Sequence, residues 1–403
     1  MSDTAPLFGI RVLGVEHFIS GPWCTQILAD AGAEVIKIER PGVGDPRRSY
    51  DPMIRRDGEG VSGGFVSYNR NKKSLAIDIT QPDGRDLFLD LVETADVLVE
   101  NMRPGMMERC GLGYEVLAER NPRLVYCAIS GFGKRQDRRG PYSDWPAFDP
   151  VIQAMSGLAS LIGDRDGPPM LAPAGTTDLL TGTYAAIGVL LALQQRERTG
   201  RGQLLDTAMY DVTIALLERP LMIQEWTGRT QVRGLDAFTP VGMFRCGDGE
   251  YVSLIIPTDE MWRRCCTAIG RPDLAQREDL SSVLARSEHM HDVIVPALEE
   301  WAADKTRREA CEALIAAGQP AGMVQTIAEV HKCPQVAARG ILVPIDDPVT
   351  GPKRHPRLPV LMSDYEPPAR RVPRLGEHTG ELLAELAVDS EREEMLRSQG
   401  VIA

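Results

Sequence analysis

The chain has no surplus of positive charge: 45 Lys and Arg stand against 57 Asp and Glu, a net charge of −12 over 403 residues. That balance argues against a general nucleic-acid binder and against a protein held on an anionic membrane. Metal-type spacing is also missing. The eight cysteines, Cys24, Cys110, Cys127, Cys246, Cys265, Cys266, Cys311 and Cys333, form no CxxC pair and no cluster with histidine. Neither a bound metal nor a redox dithiol is therefore expected. The thiols read as core residues of a protein from a reducing compartment. The longest apolar run, Tyr184 to Leu193, is too short to span a bilayer. The first eight residues lack the basic and apolar regions of a signal peptide, so a cytoplasmic protein without a membrane partner is expected. No repeat occurs at a solenoid period.

What is present describes a globular chain: 43% apolar and 25% charged residues. The length suits two or three domains. In the first third, strand and helix patterns alternate. Strands are expected at Ile10–Val15, Val35–Glu39, Leu75–Ile79, Asp96–Glu100 and Leu124–Ser130, with helices at Pro22–Ala31 and near 81–93. This alternation predicts a mostly parallel sheet covered on both faces. Helices are further expected at 150–158 and 178–196, the second apolar on nearly all sides and so buried. From about residue 230 the pattern changes to one strand, Tyr251–Ile256, and three helices near 260–269, 290–301 and 305–317. That is a smaller α+β domain. A Pro- and Arg-rich extended stretch, 346–374, and a last helix, 380–386, follow.

A βαβ opening invites a dinucleotide site, but the GxGxxG fingerprint is missing: Gly14 and Gly21 stand seven apart. NAD is not expected. Between Lys37 and Lys73, nine basic residues (Lys37, Arg40, Arg47, Arg48, Arg55, Arg56, Arg70, Lys72, Lys73) face five acids. Such a segment at the carboxyl end of a parallel sheet suits phosphate binding, or it is a solvated face laced with ion pairs.

Several motifs then occur in one order: Gly9-Ile-Arg-Val-Leu13, Gly21-Pro22, Asp30 to Gly42, Gly44-Asp-Pro46, Asn71-Lys-Lys-Ser74, Ala95 to Asn101, Arg103-Pro-Gly105, Ser130-Gly-Phe-Gly133, Gln153 to Gly157, Thr199 to Gln203 and Leu375 to Thr379. Together they resemble the family III CoA-transferases, which include formyl-CoA transferase, carnitine CoA-transferase and alpha-methylacyl-CoA racemase. The resemblance implies an α/β fold, with a Rossmann-like large domain built on a parallel sheet and a smaller α+β domain. It also implies a homodimer of two interlocked chains. The large domain would take residues 1–225, the small domain 226–335, and residues 336–403 would link back to the large domain.

The resemblance further implies that Asp178, in Thr176-Thr-Asp178 with Gly182 beyond it, is the nucleophile of a CoA transfer from an acyl-CoA donor to a carboxylic-acid acceptor. Read on its own, Asp178 is equally a helix N-cap. A carboxylate suits the chemistry, because an acyl-Asp anhydride and then an aspartyl-CoA thioester divide one difficult exchange into easier ones. By the same resemblance coenzyme A would lie against His17, Ile19, Ser20, Arg40, Ile77, Thr80, Asn101, Met102, Arg103, Arg109 and Phe148. Ile77 otherwise reads as core, and Arg103 as a surface ion pair. Asp149 matches an acidic position near the nucleophile, and otherwise reads as a cap before Pro150. In the racemase branch a His precedes that acid; here Phe148 stands there and cannot exchange a proton. A CoA-ester isomerase, and a CoA-binding protein without catalysis, are the alternatives. Ile19 replaces a Gln of formyl-CoA transferase, and no glycine run follows Arg233. Both differences point away from formyl and oxalyl groups, toward a larger or more apolar acyl chain or a dicarboxylate such as succinate. Arg229 and Arg233 could pair an acceptor carboxylate, or be ordinary surface charge.

Overall fold

The computed structural model describes residues 4–234 and 239–403. The chain divides into two compact units. The first holds residues 4–158, Leu171–Leu217 and Ala337–Ala403; the second holds Ala159–Met170 and, from Glu218 to Val336, the described residues.

The first unit is organised by six strands: β1 (Arg11–Val15), β2 (Glu34–Glu39), β3 (Lys73–Ala76), β4 (Val97–Glu100), β5 (Val125–Ser130) and β6 (Leu204–Ala208). They pair in the order β3-β2-β1-β4-β5-β6, every pair parallel. Val12 lies opposite Val35 and Val97, and Leu13 lies opposite Ile36 and Leu98. Side chains alternate along a strand, so these two rows feed different cores. Leu13, Ile36 and Leu98 pack with Leu87, Phe88 and Leu91 of helix α2 (Pro82–Glu93). Val12, Val35 and Val97 pack with Cys24 and Leu28 of helix α1 (Ser20–Asp30) and with Ala185, Val189 and Ala192 of the helix Thr176–Thr199. A sheet buried on both faces explains why its strands read as nearly continuous apolar runs.

The helix Thr176–Thr199 extends well past the apolar run seen in the sequence, to 24 residues, enough by length and composition alone to cross a membrane. Its small residues pack on the sheet, but Tyr184, Ile187, Leu190 and Leu191 are exposed, so the helix is buried on one face and not on nearly all sides as expected. Gly182 permits this packing: a Cβ there would stand 2.5 Å from the Ser20 carbonyl oxygen and 3.2 Å from the Cys24 nitrogen, so α1 and the long helix touch backbone to backbone.

The C-terminal segment returns to the first unit. Leu382 and Leu383 of the helix Thr379–Glu385, then Leu396, Val401 and Ile402, join the α2 face of the core. The helix Ser390–Ser398, capped by Asp389, was not expected, because Leu396 is its one buried residue and its apolar signal is minimal. In the second unit the expected strand Tyr251–Ile255 has two antiparallel neighbours, Val241–Arg245 and Ala321–Met323. These were not legible: the first buries only Phe244, and the second has three residues.

Candidate active site

The strand order reverses at β1, whose neighbours β2 and β4 lead away in opposite directions. In such sheets the crevice beyond the carboxyl ends at that point is the usual ligand site. Here the loops after β1 and β4 are tied together: the His17 N–H donates to Asn101 Oδ1 at 2.8 Å, and Asn101 Nδ2 donates to the His17 carbonyl at 2.8 Å. Between His17 and α1, Phe18 adopts φ +65°. A bulky residue rarely enters the left-handed region, and strain of this kind collects at functional sites.

Beneath the loop lies a buried ionic network. Lys72 Nζ bonds Glu16 Oε1 at 2.9 Å, and Lys37 Nζ bonds Asp45 Oδ2 at 2.9 Å and the Glu16 carbonyl at 2.9 Å. Burial works to raise the Glu16 pKa, but Lys72 and Lys37 outweigh it and keep the group below the usual carboxylate range. Burial brings Lys72 down to about 8, against the pull of Glu16.

The nucleophile candidate adjoins this loop through a hydrogen bond with Ser20. Helix α3 (Asp149–Met155) and helix α4 (Thr176–Thr199) meet at the Asp149 carboxylate. Asp149 Oδ1 accepts the Thr177 N–H at 2.7 Å and the Thr177 hydroxyl at 2.7 Å; Oδ2 accepts the Gly175 N–H at 3.0 Å and Gln153 Nε2 at 2.8 Å. Asp149 thus caps α4 from outside it, supplying the acceptor that the helix's own cap residue, Gly175 at φ +89°, lacks. Asp178 is therefore not the N-cap. It sits in the first turn, at a helix end that favours an anion. Burial raises the Asp178 carboxyl to about 7, helped by the charge of Asp149 and opposed by a hydrogen bond with Ser20 and by the charge of Arg47.

Asp178, Asp149, Ser20 and Arg47 line one cavity of about 700 Å³, whose wall residues all belong to the first unit. It brings together ten of the residues named from sequence: His17, Ile19, Ser20, Asn101, Met102, Arg103, Arg109, Phe148, Asp149 and Asp178. Arg40, Ile77 and Thr80 are not on its wall. Arg40 is exposed directly after β2, and its charge acts on Asp78. Thr80 is exposed, with its N–H and hydroxyl both on Asp78 Oδ1. Ile77 is core: its side chain is buried and its N–H donates to the Glu39 carbonyl. Its hydrophobic side chain completes the β3 end of the sheet.

Of the two readings of the basic segment, the ion-paired one describes most of it. Arg48 pairs with Glu39, Arg70 with Asp30 and Lys73 with Glu34, while Lys37 and Lys72 belong to the buried network. Five of its nine cations are neutralised internally, so the surplus counted from sequence overstates the positive charge that a phosphate could meet. Arg233 is also occupied, by the carbonyls of Ser160, Asp164 and Gly167 in the second unit. Among the wall residues not singled out beforehand are Phe18, Tyr50 and Trp145, and Arg47 had been named only as one cation of the basic segment. For Tyr50 the one signal was its place four residues after Gly44-Asp-Pro46. Phe18 packs edge-on against Phe148, ring centroids 5.5 Å apart, and against Tyr50 at 6.4 Å.

Comparison with known proteins agrees with this geometry. The model of CoA-transferase family III matches residues 7–379. Succinyl-CoA:mesaconate CoA-transferase of Haloarcula marismortui is 38% identical, with 94% of this chain and 96% of that protein covered. Succinate–glutarate CoA-transferase of Agrobacterium fabrum is 36% identical, with the same coverage. The crystal structure of a CAIB/BAIF family protein from Brucella suis superposes with a TM-score of 0.82 at 33% identity, covering 94% of this chain and 99% of that one.

Proposed function

The chain belongs to CoA-transferase family III, and from that premise we propose that Asp178 carries the transfer as a covalent nucleophile. The single observation behind this reading is a carboxyl in the cavity, in the first turn of α4, whose helix end is held by a second carboxylate already saturated with hydrogen bonds.

The Asp178 carboxylate attacks the thioester carbonyl of the donor, and the CoA thiolate leaves. The product is a mixed anhydride between Asp178 and the donor acid. Thiolate then attacks the Asp178 carbonyl, releasing the donor acid and leaving an aspartyl-CoA thioester. An acceptor carboxylate attacks that carbonyl and displaces thiolate, which finally attacks the acceptor's carbonyl and frees Asp178. One thioester replaces another, so no external energy is needed. Asp149 is a positioning residue: with all its bonds directed to α4 and α3 it orients the first turn and holds up the Asp178 pKa. Phe148 presents an aromatic ring to the cavity, which does not favour an alpha-proton shuttle between that position and an acid.

Coenzyme A, as substrate, would run from Asp178 toward Arg103 and Arg109 on the cavity wall, with Arg40 beyond them. None of these three has a carboxylate partner among the described residues. Open guanidinium forks suit phosphate. The working unit is an interlocked homodimer; the exposed Tyr184, Ile187 and Leu191 on α4 support an apolar contact between copies. Light scattering should return twice the 44.3 kDa chain mass. For the nucleophile, acyl-CoA followed by hydroxylamine or borohydride should leave an adduct on Asp178. Full transferase activity in Asp178→Ala would overturn the proposal.

A further inference from the structure

The turn Pro46–Ser49 is a 3₁₀ helix capped by Asp45, which accepts the Arg47 N–H at 2.9 Å. Asp45 is itself anchored by Lys37. Successive residues of such a turn point about 120° apart, so its two arginines diverge. Arg48 turns inward and forks onto Glu39 at 2.8 and 2.6 Å. Arg47 turns to the cavity. Its Nε donates to the Gly64 carbonyl at 2.8 Å, and its guanidinium lies 5.3 Å from the Tyr50 ring centroid and 5.0 Å from that of Tyr68. The Nε edge is thus engaged, and the cation lies over two aromatic rings. The two terminal nitrogens donate no hydrogen bond, and no carboxylate pairs with Arg47 among the described residues.

A guanidinium fixed in this way, with its fork open, is prepared for a planar anion such as a carboxylate. Its position narrows the choice. Arg47 lies near enough to Asp178 for its charge to act on that carboxyl. In an acyl-CoA the phosphates are a whole pantetheine arm away from the thioester, so they are not the anion beside the nucleophile. The remaining negative group close to a reacting thioester is one on the acyl chain itself. The wall between the two residues is aromatic, with Tyr50, Phe18 and Phe148 in contact, and exclusion of water strengthens an ion pair.

We infer that Arg47 is the specificity-determining residue of this transferase, binding the distal carboxylate of a short dicarboxylic acid while the proximal carboxyl meets the nucleophile. The assignment rests on the reading of Asp178 as the nucleophile. A monocarboxylic acid of equal length would leave the fork unpaired, and a site built for a polar group discriminates strongly against an analogue without it.

A competition experiment reads the acceptor step alone. With succinyl-CoA as donor and equal glutarate and pentanoate, both acids draw on the same enzyme intermediate, and mass analysis gives the ratio of glutaryl-CoA to pentanoyl-CoA. The wild type should favour glutaryl-CoA. In Arg47→Met, which keeps the stem between the two tyrosines, the ratio should fall about 50-fold or more. In Arg47→Lys, which keeps the charge and loses the fork, it should fall about 5- to 10-fold. Wild-type preference for pentanoate, or an unchanged ratio in both variants, overturns the assignment. Hydroxylamine trapping on the wild type runs alongside: a missing Asp178 adduct defeats the nucleophile reading, whereas an adduct with an unchanged ratio defeats only the role of Arg47.

Discussion

One oxygen of Asp149 accepts both the backbone N–H and the hydroxyl of Thr177, each at 2.7 Å, and so holds the helix turn that carries Asp178. Asp149→Asn keeps the shape, but it turns one acceptor into a donor facing backbone N–H groups. We expect kcat to fall about 100-fold, in line with a misplaced reactive group. A purely structural role would leave the pH profile in place. Because the Asp149 charge raises the Asp178 pKa, the acid limb of kcat/KM should move to lower pH in the variant.

In the proposed mechanism Asp178 attacks as a carboxylate, and its pKa is raised to about 7. In wild type, kcat/KM should therefore rise with pH and level off above about 7. Stability should run the other way. An acid with a raised folded pKa binds more protons when folded than when unfolded, between its unfolded value near 4 and about 7. Stability then falls across that window and is flat above it. Asp178→Asn removes this loss, so urea unfolding should show it gaining about 1 to 2 kcal/mol on wild type between pH 4 and 8, a modest figure because the carboxyl is only partly buried.

Gly182 faces the Ser20 carbonyl at a distance no Cβ tolerates. Gly182→Ala must push α1 away from α4, at a cost of about 1 to 3 kcal/mol. The same displacement parts Ser20 from Asp178, which it hydrogen-bonds. Thermal melting should report the first effect, and a kcat loss exceeding any rise in KM the second.

Arg40 lies outside the cavity wall but follows β2 with an exposed side chain. If it meets a nucleotide phosphate, Arg40→Ala should raise KM for CoA esters about 10-fold, equivalent to about 1.4 kcal/mol, and leave kcat nearly unchanged. Steady-state kinetics with one donor ester and varied acceptor decides this. An unaltered KM would remove Arg40 from the CoA site.

Much of this was present in the order of residues. Runs such as Arg11–Val15 and Val125–Ser130 declare buried parallel strands, because both faces of each are apolar. The ordered motifs identified the family, and with it Asp178 and most of the cavity wall. Short pairings with little buried surface, such as Ala321–Met323, were not legible, since three residues carry no period. Nor could composition say which cations were free. Between Lys37 and Lys73 the sequence shows only a surplus of charge, and partners such as Glu16 with Lys72 stand 56 residues apart.

The sequence by itself determined the layered α/β fold, the family and the carboxylate that stands at the head of the long helix. Tertiary structure alone decided what surrounds that carboxylate. Asp149 reaches across from another helix to cap α4, Gly182 lets Ser20 approach, and of two adjacent arginines one is spent on Glu39 while the other faces the cavity. The reason is physical: a residue's charge is local to the chain, but its burial and its partners are set by segments that only folding brings together.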